Sequence, residues 1–408
     1  MADALFDRAL ELVMDAGQTL LENGGEVFRA QQTMEIMAAS LGVRDFHVYV
    51  LTNGIFASAH LPGRDAVSLV RHVPTVSVHL GRVEAVNELS RELAAGRLGV
   101  VEAEARLNTA RTLPRSTPQL EILACVVGAA GFAYLFGGTL ADMPVAAVAG
   151  LLEALVCQQF ARHGINRIFT DIVAAFCGTI WAIAVQTVVP AVNANAAIIG
   201  ALMVLTPGVA LTMGVRDILN ADYLSGHPPA GCPADCGQHC GRRGAGLDHG
   251  PWIGGGVMPV WTHYFAHFVV AVIATISFGI TFQMPRRHYL ACGLTGAVGW
   301  MVYIFCVELF ALSPAIATLV ATLPLTGCAR FFAIRHKAPV TIFLLPGIFP
   351  LVPGAGIYYT AYYFLQGEQE LFASKGGETF KVALALALGI ALVCSLPLPG
   401  GHEGKRKS

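Results

Sequence analysis

The sequence has few charged residues. Only 13% of its 408 residues are Asp, Glu, Lys or Arg, whereas hydrophobic residues make up 55%. Ordinary soluble domains carry about 25% charged residues, so this scarcity excludes a protein that is soluble throughout. The mean hydropathy of +0.60 agrees with that exclusion. The formal net charge of -1 offers no positive excess to attract nucleic acid, so we expect no nucleic-acid partner.

Motifs for secretion, catalysis and metal binding are also missing. The opening stretch, MADALFDRALELVMDAG, has no basic segment followed by an apolar core, so it does not predict a signal peptide, and we expect a cytoplasmic start. No ligand spacing such as HExxH appears, and we expect no metal, no cofactor and no catalytic residue. A membrane-anchored hydrolase remains a less favoured alternative, with candidate groups in the charged N-terminal region: Glu26, His47, His60, His72 and His79.

The charge that is present is concentrated in residues 1–117. Apolar residues recur there at helical spacing, short alternating runs are typical of strands, and Asn53-Gly54 is a hairpin signal. We therefore predict a small cytoplasmic α+β domain. Its expected elements are helices over 5–21, 26–41, 80–95 and 101–112, and strands over 47–52, 55–60 and 67–72.

The rest of the chain is apolar enough to cross a membrane repeatedly. A transmembrane helix needs about 20 largely apolar residues, and nine stretches qualify. The nine predicted spans are 119–137, 143–161, 169–190, 194–214, 260–283, 289–310, 313–330, 338–365 and 379–398.

The distribution of basic residues between these spans predicts a tenth span. Loops on the cytoplasmic side of a membrane are enriched in Lys and Arg. With a cytoplasmic N-terminus and nine spans, Arg286-Arg287 and the cluster at 330–337 would lie outside. One additional span between Arg216 and Trp261 places every basic cluster, including the tail at 405–407, in the cytoplasm.

Residues 226–251, where that span should lie, read GHPPAGCPADCGQHCGRRGAGLDHGP. Three interpretations stay open. Cys232, Cys236 and Cys240 near His239 could form a metal knuckle, although structural zinc sites usually space cysteines differently. The segment could be a Gly/Pro-rich loop. We favour a third hypothesis, a frameshifted fifth span, because the codons read from their second base permit a run of Leu, Ile, Ala and Val.

Two Pro-Gly pairs lie inside apolar stretches with similar surroundings: Pro207-Gly208 and Pro353-Gly354. Proline lacks an N–H and glycine adds backbone freedom, so each pair predicts a broken membrane helix. Matched breaks in two halves of a membrane protein indicate a transporter's substrate site, because helix N-termini there bind anionic groups. The hydroxyl groups that could bind substrate beside them belong to Thr206, Thr212, Tyr358 and Thr360.

Four carboxylates in or at the ends of spans are candidates for proton coupling. A charged side chain at the bilayer centre costs roughly 2.5–3.5 kcal/mol on insertion scales, so such groups are functional candidates by default. Glu153 lies in mid-span and Glu308 deep in or near the outer end of its span, whereas Asp171 and Asp217 lie near span ends. The alternative is structural: Asp171 could pair with Arg167 at (i, i+4), and Asp217 with the adjacent Arg216.

Several segments resemble the bacterial threonine/serine exporter family, in its fused two-half form. They are LLENGGEVFRAQQTMEIMAASLG, INRIFTDIVAAF, TPGVALTMGVRDILNADYLSG and FLLPGIFPLVPGAGIYYTAYYFLQGE. They occur in the family's order and cover nearly the whole chain, whereas residues 226–251 depart from its pattern.

This resemblance implies a polytopic α-helical membrane protein of two five-span halves with broken helices, preceded by the cytoplasmic domain. The expected division is 1–117 for that domain, 118–251 for the first half and 252–408 for the second half with its basic cytoplasmic tail. The implied function is proton-driven export of threonine and serine through the bacterial inner membrane. Relatives with the halves on separate chains make dicarboxylate export the alternative, and the sequence leaves homo-oligomerisation open.

Overall fold

The computed structural model describes residues 2–43, 45–60, 66–73, 77–203, 205 and 260–396. Four helices and three strands occupy the N-terminal part: α1 (Ala2–Glu22), α2 (Val27–Ser40), β1 (His47–Leu51), β2 (Gly54–Ala59), β3 (Val67–His72), α3 (Leu80–Ala94) and α4 (Val100–Arg111). The strands form one antiparallel sheet in the order β1-β2-β3. Each element lies within a few residues of the segment that periodicity predicts.

The hairpin between β1 and β2 turns one residue earlier than its sequence signal. Leu51 pairs with Gly54, so Thr52 and Asn53 make the turn and Gly54 is already the first residue of β2. On the opposite edge Gly54 pairs with His72 of β3. The sheet and the four helices enclose a hydrophobic core that includes Val13, Met34 and Ile55.

The remaining described helices are mostly apolar. They are α5 (Pro118–Leu135), α6 (Asp142–Arg162), α7 (Arg167–Val188), α8 (Ala194–Leu202), α9 (Val260–Thr281), α10 (Tyr289–Glu308), α11 (Pro314–His336), α12 (Val340–Gly347), α13 (Gly354–Gln366) and α14 (Gln369–Ser395). Short 3-10 turns, Arg286–His288 and Phe349–Leu351, precede α10 and follow α12. Seven described helices are long and apolar enough to span a membrane, and a bent pair around Pro353 makes an eighth candidate. The fold is that of a polytopic helical membrane protein.

The N-terminal part is hydrogen-bonded to one end of the membrane helices, which we call the proximal end. The backbone N–H groups of Leu80 and Gly81 donate to the carbonyls of Phe282 and Gln283, just after α9, at 3.0 Å each. Leu80 itself is buried in the hydrophobic core of the membrane helices. The first turn of α3 thus meets the last turn of α9.

Three side chains extend this contact to other helices. Thr341 at the start of α12 donates to Glu26 Oε1 at 2.9 Å, and Arg91 of α3 donates to the carbonyl of Lys337 after α11. Gln283 accepts from the Ser116 N–H before α5 and donates to Glu121 within it. The proximal end therefore contains the starts of α5 and α12 and the ends of α9 and α11.

Close packing of small residues joins the helices. A Cβ at Gly200 of α8 would lie 2.5 Å from the carbonyl oxygen of Ala129 in α5, which only glycine avoids. At the opposite, distal end, Asp142 at the start of α6 accepts hydrogen bonds from Thr139 and from the Asn193 N–H just before α8. These contacts fix α5, α6 and α8 as one packed group.

Candidate functional site

The predicted break at Pro353-Gly354 is present. The chain from Val340 to Leu351 and helix α13 meet at an angle of 47°. Pro353 has φ −75° and ψ 47°, outside the helical range, and Gly354, which is buried, begins α13. One helical segment of eight residues and one 3-10 turn precede the break, a rise of roughly 18 Å from the proximal end. Against a hydrocarbon core of about 30 Å, the break lies deep in the membrane.

The side chains after the break face the first group of membrane helices. The hydroxyl of Tyr358 donates to Asn195 Oδ1 of α8 at 3.2 Å. Its ring packs against a cluster of α6 and α8 residues that includes Val145 and Ala197. The hydroxyl of Thr360 donates within its own helix to the Gly356 carbonyl at 2.7 Å, which leaves its oxygen as an acceptor.

The other predicted break, with Thr206, Pro207, Gly208 and Thr212, lies outside the described residues, and so does Asp217. Residues 226–251 lie outside them as well, so the knuckle, loop and frameshift interpretations stay predictions. The structure brings together α8, which precedes the Pro207-Gly208 pair in the sequence, and α13, the helix that follows the Pro353 break.

Glu153 is a buried carboxylate in the middle of α6. Its side chain is 3% exposed, and neither carboxylate oxygen has a hydrogen-bond partner among the described residues. Gly178 of α7 makes room for it, because a Cβ there would lie 2.7 Å from Glu153 Oε1. An unpaired buried carboxylate is costly when charged, so Glu153 stays a candidate for proton coupling.

The two other proton-coupling candidates that the structure describes, Glu308 and Asp171, have partners. Glu308 is the last residue of α10, its side chain is 34% exposed, and its Oε1 lies 3.2 Å from His263 Nε2 of α9. Asp171 lies 3.8 Å from Arg167 in the first turns of α7, the (i, i+4) pair that the spacing predicts. These environments differ from that of Glu153, and Asp171 fits the structural alternative.

Glu84 of α3 is a buried carboxylate that the sequence analysis did not predict. Its Oε1 lies 2.7 Å from both the Arg287 guanidinium and His288 Nε2, in the 3-10 turn just before α10. Burial raises the pKa of Glu84, but the hydrogen bonds and charges of His288 and Arg287 outweigh burial and lower this pKa below its ordinary value. Because 204 residues separate Glu84 from His288, no local pattern could have paired them.

Two residues of the hydrolase alternative make structural contacts. His79 caps α3, accepting from the Arg82 N–H at 3.2 Å, and Glu26 accepts from Thr341. Within the described ranges, no group of three or more His, Cys, Asp or Glu side chains is placed to hold a metal ion.

Comparison with known proteins assigns the chain to a family. One threonine/serine exporter model matches residues 11–227, more than half of the chain, and a second matches residues 267–396. The chain belongs to the threonine/serine exporter family. The two matches leave residues 228–266 between them, which include most of the segment whose sequence is unusual.

Two relatives match almost the full length of this family member. A Mycobacterium tuberculosis protein described as a "Probable threonine/serine exporter" is 23% identical over 94% of this chain and 75% of its own length. A Corynebacterium glutamicum protein described as a "Threonine/serine exporter" is 20% identical over 94% of this chain and 81% of its own. No solved structure matches the chain significantly. The Pro353 break and Glu153 both lie inside regions that the exporter models match.

The structure adds one cluster that was not predicted, at the distal end of α9. The segment WTHYFAHF places His263 and His267 one turn apart. His267 is 8% exposed and accepts a hydrogen bond from the Trp300 indole of α10 at 3.2 Å. Two histidines at (i, i+4) in an apolar span were the available sequence signal.

Proposed function

We propose that this protein is a secondary transporter that exports threonine and serine, driven by the proton gradient across the bacterial inner membrane. The observation that carries the proposal is the helix break at Pro353-Gly354, deep in the membrane, with Tyr358 after it bonded to α8. A helix N-terminus suits the substrate carboxylate. The hydroxyl groups of Tyr358 and Thr360, and of Thr206 and Thr212 beside the Pro207-Gly208 break, would bind its amino and hydroxyl groups.

Proton coupling is assigned first to Glu153. A carboxylate without a partner in mid-span can exchange a proton as the site opens to one side and then the other. Glu308, Asp171 and Asp217 are secondary candidates. In this mechanism the substrate leaves outward while a proton enters, and the two membrane halves move against each other around the breaks.

The directions in which the described helices run support the ten-span, two-half architecture. Helix α8 begins beside Asp142 at the distal end, and α9 ends at the proximal end, so both begin distally. This agrees with an order of ten spans in which the fourth and the sixth both run from the distal to the proximal end. In that order residues 1–117 are the cytoplasmic domain, 118–251 the first half and 252–408 the second.

The same crossing order supports the proposed orientation. With the N-terminal domain in the cytoplasm, the proximal end is cytoplasmic. Arg330 near the end of α11 donates to the carbonyls of Val393 and Leu396, so the end of α14 is also proximal. The basic tail then lies in the cytoplasm, as the positive-inside rule requires.

Efflux from whole cells tests the proposal. Cells without exporters of their own would be loaded with threonine- and serine-containing dipeptides and assayed with and without an uncoupler. We expect uncoupler-sensitive release of threonine or serine. No release, with the protein present in the membrane, would contradict the assignment. The names of both relatives do not favour the dicarboxylate alternative, and succinate loading would test it in the same cells.

A further inference from the structure

A line of polar side chains leads inward from the distal end of α9. Glu308 and His263 are each about one-third exposed, at 34% and 31% of their side chains, and lie 3.2 Å apart. The ring centroids of His263 and His267 are 4.5 Å apart. Since His267 is only 8% exposed, the line runs from the surface of the helices to a buried imidazole.

The tautomer of the buried imidazole follows from its partner. The indole N–H of Trp300 is a donor only, so His267 Nδ1 must be unprotonated and Nε2 must carry the hydrogen. A second proton can therefore be accepted only at Nδ1, where it would displace the Trp300 hydrogen bond. His267 Nδ1 can therefore either bind a proton or accept the Trp300 hydrogen bond, but not both at once.

Trp300 of α10 and His267 of α9 lie against helix α5. Tyr134 of α5 is 5.0 Å from the His267 ring, and Phe136 after α5 makes an edge contact with Trp300 at 6.0 Å. The titratable groups along this line are His263 and Tyr264 of α9, Tyr303 and Glu308 of α10 and Tyr134 of α5. Helix α12 contributes none because its sequence is VTIFLLPG. Protonation of His267 would therefore alter the packing of α5 against α9 and α10.

We propose that Glu308, His263 and His267 form the proton entry relay of this transporter. The inference rests on the proposed proton-driven export and identifies the groups that carry the proton. External water protonates Glu308, the proton passes to His263 and then to His267 Nδ1, and Trp300 loses its acceptor. Once the helices have rearranged, the imidazolium releases the same proton inward, and Glu153 passes it on to water on the cytoplasmic side.

Fluorescence of Trp300 tests the switch without any transport assay. In a variant whose other tryptophans, Trp181, Trp252 and Trp261, are changed to Phe, we expect emission to fall on acidification, because a neighbouring imidazolium quenches indole. His267→Gln should abolish this response and Glu308→Gln should shift its midpoint. The control is His163→Gln, since His163 lies in an exposed turn at the other end of the helices. An absent response, or one that survives His267→Gln, overturns the relay.

Reconstituted vesicles separate the relay from the function on which it rests. Counterflow of labelled threonine against unlabelled threonine needs binding and helix movement but no net proton transfer. We expect His267→Gln and His263→Gln to keep counterflow and to lose about tenfold or more of the acceleration by a pH gradient, within the usual range of coupling between two sites. If the parent protein transports no threonine at all, the proposed function fails. If the parent responds to the gradient and the histidine variants respond equally, the relay fails.

Discussion

At the scale of single residues, the fit between Glu153 and Gly178 is the most sensitive point of the proposed mechanism. A methyl group at Gly178 would lie 2.7 Å from the Glu153 carboxylate. Gly178→Ala should therefore push that carboxylate aside and reduce gradient-driven export, although the protein still inserts. Gly327→Ala is the matched control, because a Cβ there would meet no atom of the described residues within 4 Å apart from the backbone of its own helix. Alanine in a helix gains up to about 1 kcal/mol over glycine. Equal export rates for both variants would contradict the role of Glu153.

The Glu84 carboxylate supplies a pH-dependent contribution to stability. Its pKa is lowered in the folded protein, so its contribution is present at neutral pH and is lost as pH falls below the ordinary glutamate value of about 4.3 through the lower folded value. Glu84→Ala should cost about 2–3 kcal/mol at neutral pH, the low end for a buried pair because Arg287 is 60% exposed.

Thermal unfolding of the purified protein, followed between pH 7 and pH 3, measures this contribution. We expect the difference in melting temperature between the parent and Glu84→Ala to shrink as the pH falls. Glu88→Ala is the control on the same helix face, one turn away, where the side chain is exposed. A difference that does not change with pH would contradict the ionised Glu84 pair.

Residue patterns predicted part of this site and missed the rest for a physical reason. The Arg167–Asp171 pair and the break at Pro353 follow from neighbours in sequence, so the sequence predicts them. The space around Glu153 depends on Gly178, which belongs to another helix. The Glu84–His288 contact likewise joins residues that are far apart in sequence. Such contacts are set by packing between elements, which periodicity cannot specify.

At the scale of secondary structure elements, the break before α13 should be required for transport and dispensable for folding. Alanine is favoured over proline by about 3 kcal/mol in a helix interior, so Pro353→Ala should let helical geometry extend through the break. We expect export to fall sharply while the melting temperature stays the same or rises. Pro324→Ala is the control, because Pro324 lies inside the continuous helix α11. Export at the parental rate in Pro353→Ala would remove the break from the mechanism.

Elements were the level at which the sequence was most informative. Strands β1 to β3 lie within one or two residues of the alternating runs, because each has one face toward the core. Helix α11 extends to His336, six residues beyond the predicted span, and the carbonyl of Lys337 just after it accepts a hydrogen bond from Arg91 of the N-terminal part. The length of an apolar stretch reflects the thickness of the hydrocarbon core, and the helix itself can extend beyond it.

At the scale of the whole molecule, the crossing order predicts which loops face outward. Leu140 and Phe310 lie in distal connections and His163 in a proximal one, and all three are exposed. In a variant without native cysteines, Leu140→Cys and Phe310→Cys should react with an impermeant thiol reagent in intact cells. His163→Cys should react only after permeabilisation. Labelling of His163→Cys in intact cells would reverse the proposed orientation.

Proton movement coupled to threonine export is the central claim, and it can be measured directly. Vesicles containing the purified protein and a pH-sensitive dye would be loaded with threonine and diluted into threonine-free buffer. We predict that the interior acidifies as threonine leaves, and that Glu153→Gln abolishes the acidification. Threonine efflux without any change in internal pH would contradict the proposed mechanism.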